Sequence, residues 1–198
     1  MLLSDYKRET TGTEPVTLAM MKNYLRENYG TDATEDALLT SMILGARLWI
    51  EDETRRAFVA QTVTYYAFDD EYTIKELLLP YQPITEITSV NAIDLEGTET
   101  EYVLNTNYYR IGLVGGTENI LRFSTVISTI PVGASSANNA IRVIYNAGYS
   151  TVPADVIGGI MKLVAENYVN REASVDWSIN VVPFSVQQMI NHYKVYDL

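Results

Sequence analysis

VIYNAGYSTVPADVIGGIMKLVAENYVNREASVDWSINVVPFSVQQMINHYKVYDL, residues 143–198, passes through three kinds of pattern in succession. Ile141, Val143 and Tyr145 share one face of a strand over Ala140–Tyr145, which runs into a tight turn at Asn146-Ala147-Gly148. Pro153 suits the first position of a helix, and Asp155 lies in the first turn, where the helix dipole favours a carboxylate. The spacing predicts a helix over Pro153–Asn170, with Ile157, Ile160 or Met161, Val164 and Tyr168 as its buried stripe. Gly158-Gly159 cost this helix roughly 1 kcal/mol each against alanine. Close approach by another backbone would offset that cost, and chance is the simpler account. After a polar linker, Val186, Met189, Ile190 and Tyr193 repeat the i, i+3, i+4, i+7 pattern of a second amphipathic helix.

Two helices are also predicted at the front of the chain. Leu18, Met21 and Leu25 make an apolar stripe within residues 15–28, with Pro15 and Thr17 where a helix start belongs and Tyr29-Gly30 at its end. Leu39, Met42, Ile43, Ala46 and Ile50, with Trp49 beside them, sustain a second helix from about Thr34 to Thr54, with Glu35 and Asp36 in its first turn. The period then changes to two. Val63, Tyr65 and Ala67 alternate with Thr62, Thr64 and Tyr66 in a strand, which Asp69-Asp70-Glu71 turns back into Tyr72–Leu79. Pro80 and Pro83 precede a strand over Ile84–Ile93, and Asp94-Leu95-Glu96-Gly97 reads as a hairpin turn. Further strands are predicted near Glu101–Leu104, Tyr108–Ile111 and Ile120–Phe123, and residues 124–139 read as a long loop.

The order α, α, β-sheet insert, α, α gives an α+β fold class: a helical core of two N-terminal and two C-terminal helices with a β-rich insert between them. Residues 1–14 are expected to be a mobile arm, 15–58 and 150–172 the helical core, 59–149 the insert, and 173–198 a linker and amphipathic tail helix.

Composition narrows the chemistry. The 198 residues, 47% hydrophobic and 20% charged, are enough to bury a core and ordinary for a globular protein. No window approaches the roughly eighteen apolar residues of a membrane helix, and the start MLLSDYKRETTGTEP is not a secretory signal, so no membrane partner is expected. The absence of cysteine removes disulfides, thiolate zinc sites and a cysteine nucleophile, and agrees with assembly in a reducing cytoplasm. A formal charge of −11 argues against gripping a nucleic-acid backbone, which Lys and Arg do by displacing counterions. An acidic protein lining a channel would instead repel DNA and keep it from sticking.

The residues offer no credible catalytic or cofactor site. His192, the one histidine, lies on the terminal amphipathic helix as a surface or interface side chain, and no His-x-x-x-His spacing exists. Asp69-Asp70-Glu71 could hold a cation, but adjacent acids in a turn are usually solvated and the Gly-centred spacing of a calcium loop is missing. Gly112-Leu113-Val114-Gly115-Gly116-Thr117 has the glycines of a phosphate loop without its Lys-Ser/Thr, and a strand follows it. No pair among the twenty-five acids is set apart for sugar hydrolysis, so a carboxylate hydrolase is only a third reading. Neither cofactor nor metal is expected.

With its elements placed, the chain resembles the head-tail connector (adaptor, or head completion) proteins of tailed bacteriophages over nearly its whole length. Thr17, Leu18, Lys22, Leu25 and Arg26, then Glu51, Thr54 and Arg56, occupy positions comparable to that family's opening helix pair, although Met20 replaces the usual acid of the first turn. LPYQPITEITSV, with Leu79, Pro80, Pro83, Ser89 and Val90, looks like its Leu-Pro-x-x-Pro strand start. YNAGY and VPADVIGGIMKLVAENYVNRE are similar to its turn and closing helix, and VPFSVQQMINHYKV to its Pro-led C-terminal segment.

The resemblance implies a non-enzymatic virion protein, assembled in the host cytoplasm as a homo-oligomeric ring, usually of twelve copies, beneath the portal. Its partners would be the portal protein and a tail or stopper protein, with genomic DNA passing through the channel without sequence-specific binding. Fifteen tyrosines and two tryptophans suit such interfaces and equally suit strands. Trp177, Phe184, Met189, Ile190 and Tyr193 are the candidate partner-binding residues, because a linker and amphipathic helix at a chain end are readily donated to a neighbour and an aromatic in a pocket is the usual anchor. Folding back onto the chain's own helices is the competing reading of this tail. The alternative function is a phage tail or baseplate module whose β insert binds protein or carbohydrate, which exposed aromatics on one face of the insert would favour.

Overall fold

The computed structural model describes residues 2–25, 33–69, 73–94, 97–112, 119–128, 140–169 and 182–195. Those residues form four helices and two antiparallel sheets, an α+β chain in two compact units. One unit comprises Met1–Gly12 and Ala57–Ser150, and the other Thr13–Arg56 and Thr151–Tyr196.

In the first unit, β1 (Leu2–Thr10), β2 (Gln61–Asp69), β8 (Ala140–Ala147), β4 (Ile84–Ile93) and β5 (Glu99–Glu101) make a five-stranded sheet in the order β1-β2-β8-β4-β5. A second sheet has the order β3-β7-β6, from β3 (Thr73–Leu78), β7 (Ile120–Ser128) and β6 (Tyr108–Ile111). Period-two alternation decides the faces. Val63, Tyr65 and Ala67 of β2, paired in register with Tyr145, Val143 and Ile141 of β8, are all buried. They form one apolar cluster with Ile74 and Leu77 of β3, Tyr108 of β6, and Leu121 and Phe123 of β7. The opposite face of the five-stranded sheet carries Asp5, Lys7, Glu9, Thr62, Thr64, Arg142, Asn146 and Glu86, a polar surface of mixed charge.

Several expectations need correction. Residues 2–10 are not an arm but the edge strand β1, paired with β2 in an unbroken register from Leu2↔Asp69 to Thr10↔Gln61. Its charges hid the alternation: Tyr6 and Arg8 share a face, on which the Tyr6 ring meets Tyr81 edge-on at 5.0 Å and the Arg8 guanidinium lies 4.2 Å from the same ring. Residues 124–128 extend β7 rather than starting a loop, and the rest of that loop lies outside the described residues. β3 does not pair with β2 but joins the other sheet, and Asp70 and Glu71 of the expected turn lie outside the described residues. The strand expected at Glu101–Leu104 is β5, two residues earlier, and Asn105, at φ 63°, turns the chain into β6. The hairpin between β4 and β5 is as read: Gly97, at φ 86°, donates its N–H to Asp94 O, and Asp94 N donates to Thr98 O.

In the second unit, α1 (Leu18–Leu25) begins where Thr17 Oγ1 accepts the Met20 N–H, a side-chain N-cap. α2 (Ala33–Thr54) buries Leu39, Ile43, Ala46 and Ile50, the sequence stripe with Met42 left half-buried. It ends at Arg55, in the left-handed region at φ 54°, with the Arg56 N–H returned to Glu51 O. α3 (Ala154–Val169) buries Val156, Gly159, Ile160, Leu163 and Val164. Its inner face is therefore turned about one residue from the expected stripe, leaving Ile157 and Met161 half-buried. α4 (Phe184–Tyr193) folds back antiparallel on α3, with Lys162 Nζ on Ser185 Oγ at 3.1 Å and the Tyr193 hydroxyl donating to Asp155 Oδ1 at 3.0 Å.

The two helical glycines differ in kind. A Cβ on Gly159 would sit 2.7 Å from Met189 Sδ, so this glycine lets α4 press close to α3. The close neighbour is a side chain rather than another backbone. A Cβ on Gly158 would meet nothing within 4 Å. Gly158→Ala is therefore expected to raise the stability of the helical unit by about 0.5–1 kcal/mol. Gly159→Ala, which must displace the Met189 thioether, should give no such gain. Urea midpoints of the two variants check this.

Candidate functional site

Two joints organise the residues that carry the motif resemblance. In the β unit, the Tyr-x-Ala-Gly-Tyr and Leu-Pro-x-x-Pro segments turn out to be one joint. Tyr145, fully buried, donates its hydroxyl to Pro80 O at 2.6 Å, and burial holds its pKa well above the ordinary tyrosine value. Gln82 Nε2 donates to Leu79 O at 3.0 Å, and Gly148 N donates to Pro83 O at 2.9 Å. Tyr149 stacks on Phe58 at 5.5 Å between ring centroids. Gly148 has φ 138° and lies so near Ala60 that an added Cβ would fall 2.7 Å from its Cα, so glycine alone fits.

In the helical unit the joint is charged. Arg47 is 1% exposed and bridges two acids: its Nε lies 2.9 Å from Glu14 Oε2, and its Nη1 donates to Glu51 Oε2 at 2.7 Å. Glu51 is itself fully buried, one turn further along α2. Thr54 Oγ1 donates back to Ile50 O, and Arg56 Nε donates to the Tyr193 carbonyl. The Glu-x-x-Thr-x-Arg segment is thus the end of α2 fastened within its own unit, with Val195 N donating to Thr54 O beside it. Arg47 was missed in the sequence, where a charge inside an apolar stripe reads as solvated. Its one signal was the i, i+4 spacing to Glu51.

A third polar tie joins the two sheets. Arg110 of β6 donates from Nε to Asn119 Oδ1 and from Nη2 to Ile84 O, each at 2.8 Å, and burial lowers its pKa. On the polar face, the Arg142 guanidinium meets Glu99. Burial opposes its charge, but the Glu99 carboxylate outweighs that and the pKa is raised.

The five tail candidates divide. Met189 and Ile190 are 7% and 1% exposed, packed inside the helical unit. Tyr193 is half-buried and bonded to Asp155 and Arg56. Phe184 is 73% exposed at the start of α4, and Trp177 lies outside the described residues. His192 is exposed, edge-on to the Tyr193 ring. The acids Asp70 and Glu71, and residues 113–118 of the glycine-rich turn, lie outside the described residues. Among the described residues no group of three His, Asp or Glu gathers as a metal site, and no helix is long and apolar enough to cross a membrane.

These units, helices and sheets have counterparts among solved structures. The chain shares its fold with chains from the neck of gene transfer agent particles. Against one in the neck of an empty particle, computed with C6 symmetry, the TM-score is 0.71 at 20% identity, covering 97% of both chains. For the neck of the native particle, computed with C12 symmetry, the values are 0.68 and 18%, again over 97% of each chain. A chain in the virion of the native gene transfer agent particle gives 0.66 and 18% over 96% of each. No protein-family model matches the sequence, and no curated protein matches it. At such identity the fold, rather than sequence, is what the chain shares with these structures.

Proposed function

We propose that this chain is a structural virion protein of the head-tail neck, an adaptor that forms a ring under the portal, extends the DNA channel and docks the tail or stopper. The observation that carries the reading is the likeness, over 97% of both chains, to a chain in the neck of an empty particle computed with C6 symmetry and to one in the neck of a native particle computed with C12 symmetry. The likeness extends over both compact units of the chain rather than one of them. The acidic balance supports it: a charge of −11 disfavours adhesion to DNA that must move. In this reading Phe184, an exposed apolar residue among the described residues of the tail, is the tail's anchor on the portal or a neighbouring copy.

The tail or baseplate binding module fits less well. Sugar binding would need an aromatic row, but the exposed aromatics among the described residues of the β unit, Tyr6 and Tyr109, stand on different sheets. Mass measurement and electron microscopy of the protein mixed with portal separate the readings. A closed ring of one copy number seated on the portal is expected. A chain that ignores portal and binds glycans as a monomer would overturn the adaptor reading.

A further inference from the structure

β1 gives its sheet backbone but little core. Of its described side chains, those of Asp5–Thr10, none is buried; Arg8 is half-buried and Tyr6 is 45% exposed. β2 has support of its own. Val63, Tyr65 and Ala67 are buried, and their strand is paired with β8 from Gln61↔Ala147 to Ala67↔Ile141.

What β1 does supply is charge. Asp5, Lys7, Arg8 and Glu9 lie on it, whereas Gln61–Phe68 of β2 holds no charged residue, no proline and no glycine. A strand of that composition, alternating Thr with Val and Tyr, pairs readily with an extended chain when its edge is open. β1 occupies that edge and puts ionic residues at the margin of the sheet in its place.

The root and the body of β1 are held differently. At the root, Thr11 N and Gly12 N both donate to Ala60 O, at 2.9 and 2.8 Å, and a Cβ on Gly12 would lie 2.8 Å from Val59 Cγ1. Along the body, Tyr6 and Arg8 grip the Tyr81 ring. Tyr81 itself, at φ 54° and 3% exposed, is fixed from both sides: Tyr145 bonds to Pro80 O, and Ala57 N to Gln82 O. Neither bond involves β1, so the ring stays in place when β1 lifts.

We infer that β1 is a detachable strap, and that the β2 edge beneath it is a docking site for an extended segment with the chemistry of residues 2–10. The occupant is this chain's own N-terminal segment, which is seated there. Backbone pairing along Gln61–Asp69 supplies the hold, and Arg8 over Tyr81 supplies the register. A slip of one residue would bring Lys7 or Glu9 to the place of Arg8. With so little apolar surface to give up, the strap opens locally at a fraction of the free energy that unfolds the unit. The strap is a property of the single chain and is independent of ring formation.

Hydrogen exchange on the full-length protein, resolved to single amides, is the first measurement. The β1 amides bonded to β2, and those of β2 that donate to β1, should exchange together at roughly a hundredfold the rate of the β8 amides, which lie between two neighbours. Protection of β1 equal to that of β8 would make it an integral strand and overturn the proposal. A fluorescent peptide of residues 2–12 should then be taken up saturably by the same protein and displaced by unlabelled peptide. With Arg8→Ala in the peptide, binding should weaken about tenfold. Because the chain has no cysteine, Lys7→Cys with Thr64→Cys, partners in the register, bonds the strap in place on oxidation. The oxidised monomer should take up no peptide, and reduction should restore uptake. Three results would overturn the docking site: no uptake by the parent, undiminished uptake by the oxidised monomer, or an Arg8→Ala peptide that binds as well as the original.

Discussion

Arg47→Met is expected to destabilise the helical unit by about 3–5 kcal/mol, the cost of stranding one member of a buried ion pair. Glu51 would keep its carboxylate at zero exposure after losing the guanidinium that faces it at 2.7 Å. Glu14 is 31% exposed and can return to water, so the loss falls on Glu51. The double variant Arg47→Met/Glu51→Leu should recover most of the stability, because an apolar pair of similar volume has no desolvated charge to satisfy. Urea unfolding followed by helical circular dichroism reads both. A single variant within about 1 kcal/mol of the parent would mean that water reaches Glu51 and that the pair is a surface interaction.

Gly148→Ala should be comparably damaging in the other unit. Two penalties add there. A side chain at φ 138° costs on the order of 1–3 kcal/mol as backbone strain. The new methyl would also meet Ala60 Cα at 2.7 Å, Ala60 N at 2.8 Å and Val59 O at 2.9 Å, all backbone, which yields less readily than a flexible side chain. Relief requires the Gly148 segment to withdraw, breaking its N–H bond to Pro83 and loosening the Tyr145 bond to Pro80. A total near 4 kcal/mol is expected, about the upper range for one substitution. Near-ultraviolet circular dichroism during unfolding follows the Tyr145 and Tyr149 environments. An alanine variant as stable as the parent would contradict the close approach at Ala60.

The helices were legible because their stripes are sustained. Leu39, Ile43, Ala46 and Ile50 repeat long enough that no other element competes, and Val186, Met189 and Ile190 fix the inner face of α4. The strand order was not legible. β1 looks like a charged tail because its outward residues Asp5, Lys7 and Glu9 are ionic, and only Tyr81, far along the sequence, explains the other face. β3 follows β2 closely yet leaves for the second sheet, a choice made by the long-range pairing of Leu77 with Leu121. The motif residues Glu51, Arg56, Tyr145 and Gly148 make contacts within their own chain, which the motif positions alone did not specify. Periodicity marks which residues are inside, but whether Met189 and Ile190 face a partner or α3 depends on how the tail returns, which spacing does not encode.

A cryo-electron-microscopy reconstruction of the particle whose genome encodes the chain, computed without imposed symmetry, decides whether the chain is a ring-forming neck component. The chain is expected in one symmetric ring between portal and tail, with its two units repeated around the channel. Density for it at the tail tip or baseplate, or mature particles that contain no copy of it, would contradict the account.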